Sequence, residues 1–255
     1  MKYIFKLFIL FLLNYSNAQQ NYVLVEYTLD NYGFVNNETL LANQQNSKHV
    51  NDIFIPKKTE DDDIQKSEND VFLIKTSAKQ LKIETFQSIG SAFIYQLQHR
   101  DKQQNVFIKD SLPDFNWKIE SDEKKAILGF ECVKATCRFR GTDIVAYFAE
   151  KIPVSFGPWK FGRLPGLILE VYTENTQIYY HWRATKIKYP YESKVEIVVE
   201  HSLYNVVTLQ NYLQKQDLKN AERNNILNAR ISKGVTTVSS KTIRGGIEKI
   251  YEWEE

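Results

Sequence analysis

Methionine, cysteine and the short motifs of common enzyme classes are nearly absent from this 255-residue sequence. The single methionine is residue 1, so the rest of the chain offers no thioether ligand for copper or another soft metal. The four histidines match no zinc-ligand spacing, and neither a Gly-x-Ser-x-Gly elbow nor a phosphate-binding glycine loop occurs. We therefore assign no catalytic residue, no metal and no cofactor from motifs. A pair of carboxylates assembled only by folding stays open.

A large excess of charge of one sign is also missing. The chain has 33 basic and 31 acidic residues, and two of the lysines lie within the first 18 residues, which contain no acid. Without that segment the net charge falls from +2 to zero. Proteins bind phosphate backbones mainly through surplus positive charge, so we expect no nucleic acid partner.

Only the amino terminus carries a long apolar run, Leu7 to Leu13. Lys2 and Lys6 precede it, and Ser16-Asn17-Ala18 places small residues where a signal peptidase cleaves. The run is well short of the ~20 residues that a bilayer-spanning helix needs. We predict a cleaved signal peptide at 1–18, no membrane anchor afterwards, and export to the periplasm or the exterior.

The remaining residues, 19–255, are predicted to form one mainly β domain. The chain contains 15 Tyr and 15 Phe, and aromatic residues favour half-buried pleated sheets. Short apolar segments separated by turn residues indicate a curled antiparallel sheet, either a sandwich or an open barrel. The residues Gly141-Thr142-Asp143 mark a hairpin. Strands are predicted at 22–29, 71–76, 81–85, 92–98, 106–108, 117–119, 126–140, 144–148, 167–173, 177–188 and 195–200.

Three segments differ from this pattern. Residues 36–69 are polar and predict a loop, in which the acidic run 60–63 lacks the spacing of a calcium site. Residues 205–230 carry apolar side chains at helical spacing, which predicts one or two amphipathic helices that cap the sheet. Residues 232–255 predict a loosely ordered segment with a short terminal strand or helix as an alternative.

The most distinctive segment joins two predicted strands and is rich in aromatic residues. Pro165 and Gly166 have the order of a type II turn, in which the glycine takes positive φ. Gly157-Pro158 marks another bend, and Phe156, Trp159 and Phe161 make the connection apolar. Apolar loops of this length either pack on their own fold or bind something. The candidate binding residues are Phe156, Gly157, Pro158, Trp159, Lys160, Phe161, Gly162, Leu164, Pro165, Gly166, Leu167 and Ile168.

This segment resembles the signature of the GLPGLI family, exported proteins of Bacteroidota whose biochemical function is not established. Supporting matches are the Gly129 to Ala135 segment with Cys132 and Lys134, and the strings Phe139-Arg140-Gly141, Ala146-Tyr147-Phe148 and Ile152-Pro153. The resemblance covers about residues 117–171. It implies an exported β-rich protein and no known reaction.

The chain departs from the family pattern at Arg163, which stands where the family usually has the first glycine of its motif. Arginine adopts positive φ less readily than glycine, so we expect an ordinary or locally shifted backbone there.

The two cysteines are expected to stay unpaired. Cys132 and Cys137 lie five residues apart in one predicted strand, about 16 Å from each other and on opposite faces. A disulfide needs Cα atoms within roughly 7 Å, so only a bulge near Ala135-Thr136 would permit one. For His181, beside Trp182, a packed or half-exposed ring is expected rather than a ligand.

Two hypotheses about function follow. The first is a non-catalytic envelope protein whose loop Phe156–Phe161 contacts an apolar ligand or a partner protein. In a purely structural version of this hypothesis, the aromatic residues only close one end of the core. The second hypothesis is an envelope hydrolase or processing enzyme, whose site is assembled from Asp, Glu and His in the concave face of the sheet.

Overall fold

The protein was analysed as a computed structural model. The structure describes residues 21–57, 64–66, 72–74, 77–99, 105–174, 179–193, 196–198, 204–229 and 246–254. The predicted signal peptide, the acidic run 60–63 and His201 lie outside the described residues.

The described residues form strands along most of their length and one helix near the carboxyl end. The strands are β1 (Tyr22–Asn31), β2 (Phe34–Ala42), β3 (Asn46–Lys57), β4 (Ile64–Lys66), β5 (Phe72–Ile74), β6 (Ser77–Ser88), β7 (Phe93–His99), β8 (Val106–Ser111), β9 (Lys118–Ile127), β10 (Phe130–Phe139), β11 (Thr142–Ala149), β12 (Leu167–Thr173), β13 (His181–Tyr191) and β14 (Val206–Thr208). The helix is α1 (Leu209–Ala229).

Twelve strands build one open sheet in the order β14-β8-β7-β6-β3-β2-β1-β13-β12-β11-β10-β9, while β4 and β5 pair separately. Every pairing in the large sheet is antiparallel except that of β14 with β8. The prediction of a mainly β fold with an antiparallel sheet and a C-terminal helix is confirmed, and the sheet does not close into a barrel.

Side-chain alternation explains the first strand. Val23, Val25, Tyr27 and Leu29 of β1 are buried, and the residues between them are half-buried. Strand β12 lies deeper in the sheet, and six of its seven residues are buried. The core therefore lies on both sides of β12.

Two-residue turns with positive φ connect the hairpins. At Arg140-Gly141 the φ angles are 43° and 83°, and at Leu128-Gly129 they are 49° and 83°. Paired positive φ angles are typical of the type I′ turn, which matches the twist of the flanking strands. The predicted hairpin at Gly141 is confirmed. The predicted strand 126–140 is wrong at its start, because the Leu128-Gly129 turn divides it into β9 and β10.

The polar segment 36–69 is not a loop in its described part. It contains most of β2, β3 and the short β4. The hydrophobic pattern is weak there because β3 buries Ser47 and His49 rather than apolar side chains. An interior that is itself polar removes the alternation on which strand prediction depends.

The helical prediction for 205–230 is confirmed in part. Residues 206–208 form a strand, and the single helix α1 begins at Leu209. Leu209 is buried and Tyr212 and Leu213 pack beside it, but Leu218 is 72% exposed. Among the helix residues whose side chains are described, the apolar stripe therefore caps the sheet at the first turn and not at Leu218. Within the described residues, no helix is long and apolar enough to cross a membrane.

One prediction for the carboxyl-terminal third is wrong. Residues 196–198 do not extend the sheet, although Ile197 is buried against Phe107. The carboxyl-terminal segment 232–255 is described only at 246–254, where it forms neither strand nor helix and packs on the core. Ile247 and Tyr251 are both buried.

Candidate functional site

The aromatic connection between β11 and β12 folds back onto the core. Phe156 pairs with Gly162 through an isolated antiparallel bridge, and the amide of Ile168 donates to the carbonyl of Phe156 at 3.0 Å. Phe161 is buried, and Trp159 is half-buried with its ring stacked at 6.0 Å on Trp182. Most of the predicted binding loop thus closes the core, which favours the purely structural version of the first hypothesis.

Gly157 and Gly166 are required because their neighbours leave no room for a Cβ atom, and not because they adopt positive φ. Gly166 does not have positive φ, so the predicted type II turn is wrong. A Cβ at Gly166 would overlap the Ala149 carbonyl group, whose carbon would lie 2.7 Å away. A Cβ at Gly157 would lie 2.7 Å from the Cβ of Ile168. These close approaches let the connection pack directly on neighbouring backbone.

Left-handed backbone occurs instead at two residues that carry side chains. Trp159 has φ 53° and Arg163 has φ 66°. The expectation of an ordinary backbone at Arg163 is therefore wrong, and the arginine keeps a conformation that glycine adopts without strain. Its amide donates to the Ser155 carbonyl at 2.8 Å, and its guanidinium lies 2.8 Å from Asp114.

Lys160, the cation of the motif, lies in a buried ion cluster. Its Nζ donates to Asp110 Oδ2 at 2.8 Å, and Arg140 makes a bidentate pair with the same carboxylate at 2.9 and 3.0 Å. The side chains of Lys160, Asp110 and Arg140 are each 1% exposed. Charges this deep are stable only when paired.

The carboxyl-terminal segment completes the cluster. Glu248 accepts from Lys160 at 2.7 Å and also pairs with Arg140, and Glu252 accepts from Arg140 Nε at 3.0 Å. Burial alone would raise the pKa of Asp110, but the neighbouring cations outweigh it and the pKa is lowered. The charged groups of the cluster are hydrogen-bond partners of one another. The cluster therefore joins segments of the fold and leaves few hydrogen-bonding atoms for a ligand.

A second polar group is more open. On β12, Glu170 is cross-strand from Arg183, whereas its neighbour Val171 is cross-strand from Trp182, so Glu170 and Trp182 lie on opposite faces. His181 Nε2 lies 2.6 Å from Glu170 Oε1, and the Tyr179 hydroxyl lies 3.3 Å from His181 Nδ1. The imidazole thus bridges a carboxylate and a phenol.

Cations hold this carboxylate in its ionised form. Lys125 Nζ forms an ion pair with Glu170 Oε2, and Arg183 Nη2 lies 3.5 Å from Oε1. Burial would raise the pKa of Glu170, but the hydrogen bonds from His181 and Lys125 outweigh it and lower it to about 2. An ionised Glu170 accepts the proton on Nε2, which leaves Nδ1 of His181 as a proton acceptor.

This arrangement can perform acid–base chemistry. The His181 side chain is 17% exposed, so solvent reaches it while Glu170 remains buried. A histidine oriented by a carboxylate is a common general base. Sequence reasoning assigned no role to these residues, and it overlooked one signal. Glu170 is the only ionisable acid or base within the apolar strand Leu167–Thr173 apart from Tyr172.

Comparison with known proteins places the chain in a family. Residues 43–213, more than half of the sequence, match the family described as "N-glycanase peptide, N-terminal domain". This chain belongs to that family. No protein with a curated description matches it in sequence.

Two solved structures share the fold of this N-glycanase N-terminal domain. They are "Structure of PNGF-II in P21 space group", with a TM-score of 0.52, and "Structure of PNGF-II in C2 space group", with a TM-score of 0.50. Each is 16% identical and covers 76% of this chain, which spans about one third, 33% and 32%, of those chains.

A third structure is "Crystal structure of MucB in complex with MucA(peri)", at 9% identity and a TM-score of 0.30. It covers 71% of this chain and 54% of its own. That likeness is too weak to carry an argument. The GLPGLI resemblance stays a prediction, because these comparisons do not address it.

In this N-glycanase N-terminal domain, the tip of the β1–β2 hairpin lies beside Glu170 and His181. Asp30 pairs with His181 in the β1–β13 register, and the ring of Tyr32 lies 6.3 Å from that of Tyr179. Tyr32 is 58% exposed and Phe34 is 77% exposed. The exposed ring of Tyr32 therefore lies next to Tyr179, and the exposed Phe34 follows it on the same hairpin.

The cysteines of the domain are free, as predicted. Burial raises the pKa of Cys132 to about 11 and that of Cys137 to about 12, so neither thiol is activated. Among the described residues no three His, Cys, Asp or Glu side chains form a group that could hold a metal ion.

Proposed function

We propose that this chain is an exported hydrolase of N-linked glycans, with Glu170, His181 and Tyr179 as its reacting groups. The family name supports the substrate class, and the predicted signal peptide supports export. The proposal develops the second sequence hypothesis, which the comparisons favour over a non-catalytic role. The observation that carries it is the line of hydrogen-bonding groups from Glu170 through His181 to Tyr179.

The chemistry assigns one role to each side chain. His181 accepts at Nδ1 the proton of the Tyr179 hydroxyl, while the tyrosine oxygen takes a proton from a water molecule. The water oxygen attacks the substrate carbon, and the bond from that carbon to the leaving group breaks. Glu170 stabilises the imidazolium that forms, and Lys125 keeps Glu170 ionised. The proton then passes from His181 to the leaving group, which restores the neutral imidazole.

The test is turnover of an N-glycosylated peptide by the purified protein, followed by mass spectrometry of the products. We expect Glu170→Gln and His181→Gln each to reduce kcat by about 10² or more. Glu26→Gln is the matched control, because Glu26 pairs with Lys186 on the surface at 3.1 Å. Absence of turnover by the natural sequence, or unchanged turnover in the Glu170 variant, contradicts the proposal.

A second candidate is a non-catalytic domain that binds glycans or a partner protein. It is favoured by the exposed aromatic side chains of Tyr32 and Phe34 at the hairpin tip. In this case the binding surface is the hairpin tip rather than the predicted loop Phe156–Phe161. Binding of a glycopeptide without turnover, lost in Phe34→Ala but retained in Glu170→Gln, would support this candidate against the first.

A further inference from the structure

One face of four neighbouring strands, β3, β6, β7 and β8, carries an apolar floor beside charged side chains. Phe86 of β6 is cross-strand from Lys48 of β3, and Leu97 of β7 is cross-strand from Phe107 of β8. Phe86, Leu97 and Phe107 are buried. Glu84 lies two residues before Phe86 and is cross-strand from Leu97, so it shares their face.

A cavity lies between this floor and the chain segment that crosses it. Ile197 is buried in the same apolar cluster as Phe107, and the ring of Tyr204 stacks on that of Phe107 at 5.4 Å. The cavity has a volume of about 200 Å³, and both Ile197 and Tyr204 line it. A second cavity of about 320 Å³ shares Phe86, Ile197 and Val198 with the first. Concave sites with an apolar lining and a few polar groups are the usual sites for small ligands.

Charged side chains of both signs line the first cavity. Lys48 and Glu84 lie 3.1 Å apart on its floor, and Glu196 lines it from the crossing segment. Lys82 also pairs with Glu84, at 2.6 Å, and His99 lies 3.6 Å from the other carboxylate oxygen. Two lysines thus share one acid, which leaves a surplus positive charge on the floor.

Glu196 carries the opposite charge without a partner. Its side chain is exposed, and among the described residues no cation pairs with it. Burial alone would raise the pKa of Glu84, but the hydrogen bonds from Lys82 and Lys48 outweigh it and the pKa is lowered. The floor and the crossing segment therefore offer a cation and a carboxylate to the same cavity.

These groups define the chemistry of a complementary ligand. The ammonium group of Lys48 has three donors, so it can bind a second carboxylate besides Glu84. The second cavity has no charged residue in its lining, so both charges of the ligand belong in the first. A volume of about 200 Å³ lies below the ~300–1,000 Å³ of pockets for drug-sized ligands, which suits a molecule of amino-acid size.

We propose that this cavity binds a free α-amino acid with an aromatic side chain. The carboxylate of the ligand pairs with Lys48, and its ammonium group pairs with Glu196. Its ring packs on Phe86 and Leu97 and extends towards the second cavity. This site is separate from Glu170 and does not depend on the proposed hydrolase activity.

The experiment titrates the isotope-labelled full chain with L-phenylalanine and follows the δ1 methyl resonance of Ile197, assigned with Ile197→Val. We expect a saturable shift that gives a Kd. L-Phenylalanine amide lacks the carboxylate, N-acetyl-L-phenylalanine lacks the ammonium group, and glycine lacks the ring. Each of these three compounds should bind at least about fivefold more weakly than L-phenylalanine.

Paired variants assign each charge to its partner. Glu196→Gln should weaken the binding of L-phenylalanine about fivefold but leave that of N-acetyl-L-phenylalanine unchanged, because the acetylated compound has no ammonium group. Lys48→Gln should weaken the binding of L-phenylalanine but not that of its amide. Glu26→Gln, which changes a surface acid on β1, should have no effect.

The result for Glu170→Gln separates this site from the proposed hydrolase, because this variant should bind L-phenylalanine normally even if it abolishes turnover. The proposal is overturned if L-phenylalanine produces no saturable shift in the natural protein. It is also overturned if either charge-deleted derivative binds as tightly as L-phenylalanine, or if Glu196→Gln leaves the Kd of L-phenylalanine unchanged.

Discussion

Lys160 Nζ lies 2.8 Å from Asp110 Oδ2, and both side chains are almost completely withdrawn from solvent. The two residues come from the β11–β12 connection and from β8, which are not neighbours in the sheet. Removing one charge of a buried pair leaves the other uncompensated. Replacing Lys160 therefore tests whether the motif stabilises the fold.

Replacement of Lys160 by methionine should destabilise the protein strongly. The substitution keeps most of the side-chain volume but leaves the Asp110 carboxylate with one cation fewer, at an expected cost of about 3–5 kcal/mol. The free energy of unfolding from urea titration measures it. Lys124→Met is the control, because Lys124 pairs with Glu131 at the surface, where such a pair contributes less than about 1 kcal/mol. Equal effects of the two substitutions would contradict a structural role for the cluster.

Replacement of Gly166 by alanine should also destabilise the fold, because the new methyl group meets the backbone of Ala149 and Glu150. We expect a loss of about 3 kcal/mol, as in other overpacked sites. Gly90→Ala provides the comparison, since its Cβ meets open space and only its φ of 76° opposes the change. That strain should cost about 1–2 kcal/mol. Chemical denaturation of both variants would reveal whether space or φ dominates at Gly166.

At position 163, unlike position 166, the positive φ of the backbone rather than a lack of space disfavours residues other than glycine. Arg163→Gly and Arg163→Ala both remove the exposed ion pair with Asp114, but only glycine adopts φ near 66° without strain. The glycine variant should therefore be more stable than the alanine variant by about 1 kcal/mol. A thermal unfolding series on the two proteins measures the difference. An alanine variant as stable as the glycine variant would argue that the left-handed backbone is not retained.

Both thiols should react slowly in the folded protein. The pKa values of about 11 for Cys132 and about 12 for Cys137 lie above the usual thiol value, so less thiolate is present at pH 8. Alkylation with iodoacetamide should be about a hundredfold slower than in denaturant, where both cysteines react fully. The intact mass should be the same with and without reductant. A mass lower by two hydrogens before reduction would reveal a disulfide.

Acidification should weaken the Glu170 site in a defined window. The folded pKa of Glu170 is lowered to about 2 from an ordinary 4.5, so its stabilisation is present above pH 4.5 and is lost as the pH falls towards 2. Allowing for screening of the half-exposed Lys125, this amounts to about 1–2 kcal/mol. The stability difference between the natural protein and Glu170→Gln should therefore shrink from pH 7 to pH 3 in urea titrations. A difference that stays constant over this range would show that Glu170 is not held by these partners.

The strands that the sequence predicts well are those with an apolar interior. The alternation in β1 and the turn residues at Gly141 are local signals, and both structures are confirmed. The prediction failed along β3, where Ser47 and His49 are buried on a face that elsewhere carries leucine and alanine. It also failed at Gly166, since a requirement for space depends on which backbone lies opposite.

The residues of the candidate site were harder to predict from the sequence than the strands were. Glu170 gave a local signal, because it interrupts an apolar strand, but nothing in the sequence indicates that His181 and Lys125 meet its two oxygens. Lys125 lies on β9 and Glu170 on β12, and β10 and β11 separate these strands in the sheet, so their side chains meet without their strands being neighbours.

The sequence alone determined the strand-rich class, the hairpin turn at Gly141 and the separation of the two cysteines, because each depends on φ preferences or on alternation over a few residues. The tertiary structure decided which polar side chains are buried and which partners they find. Arg140 and Glu248 are 108 positions apart, and the energy of their interaction depends on a separation in space that no local pattern encodes.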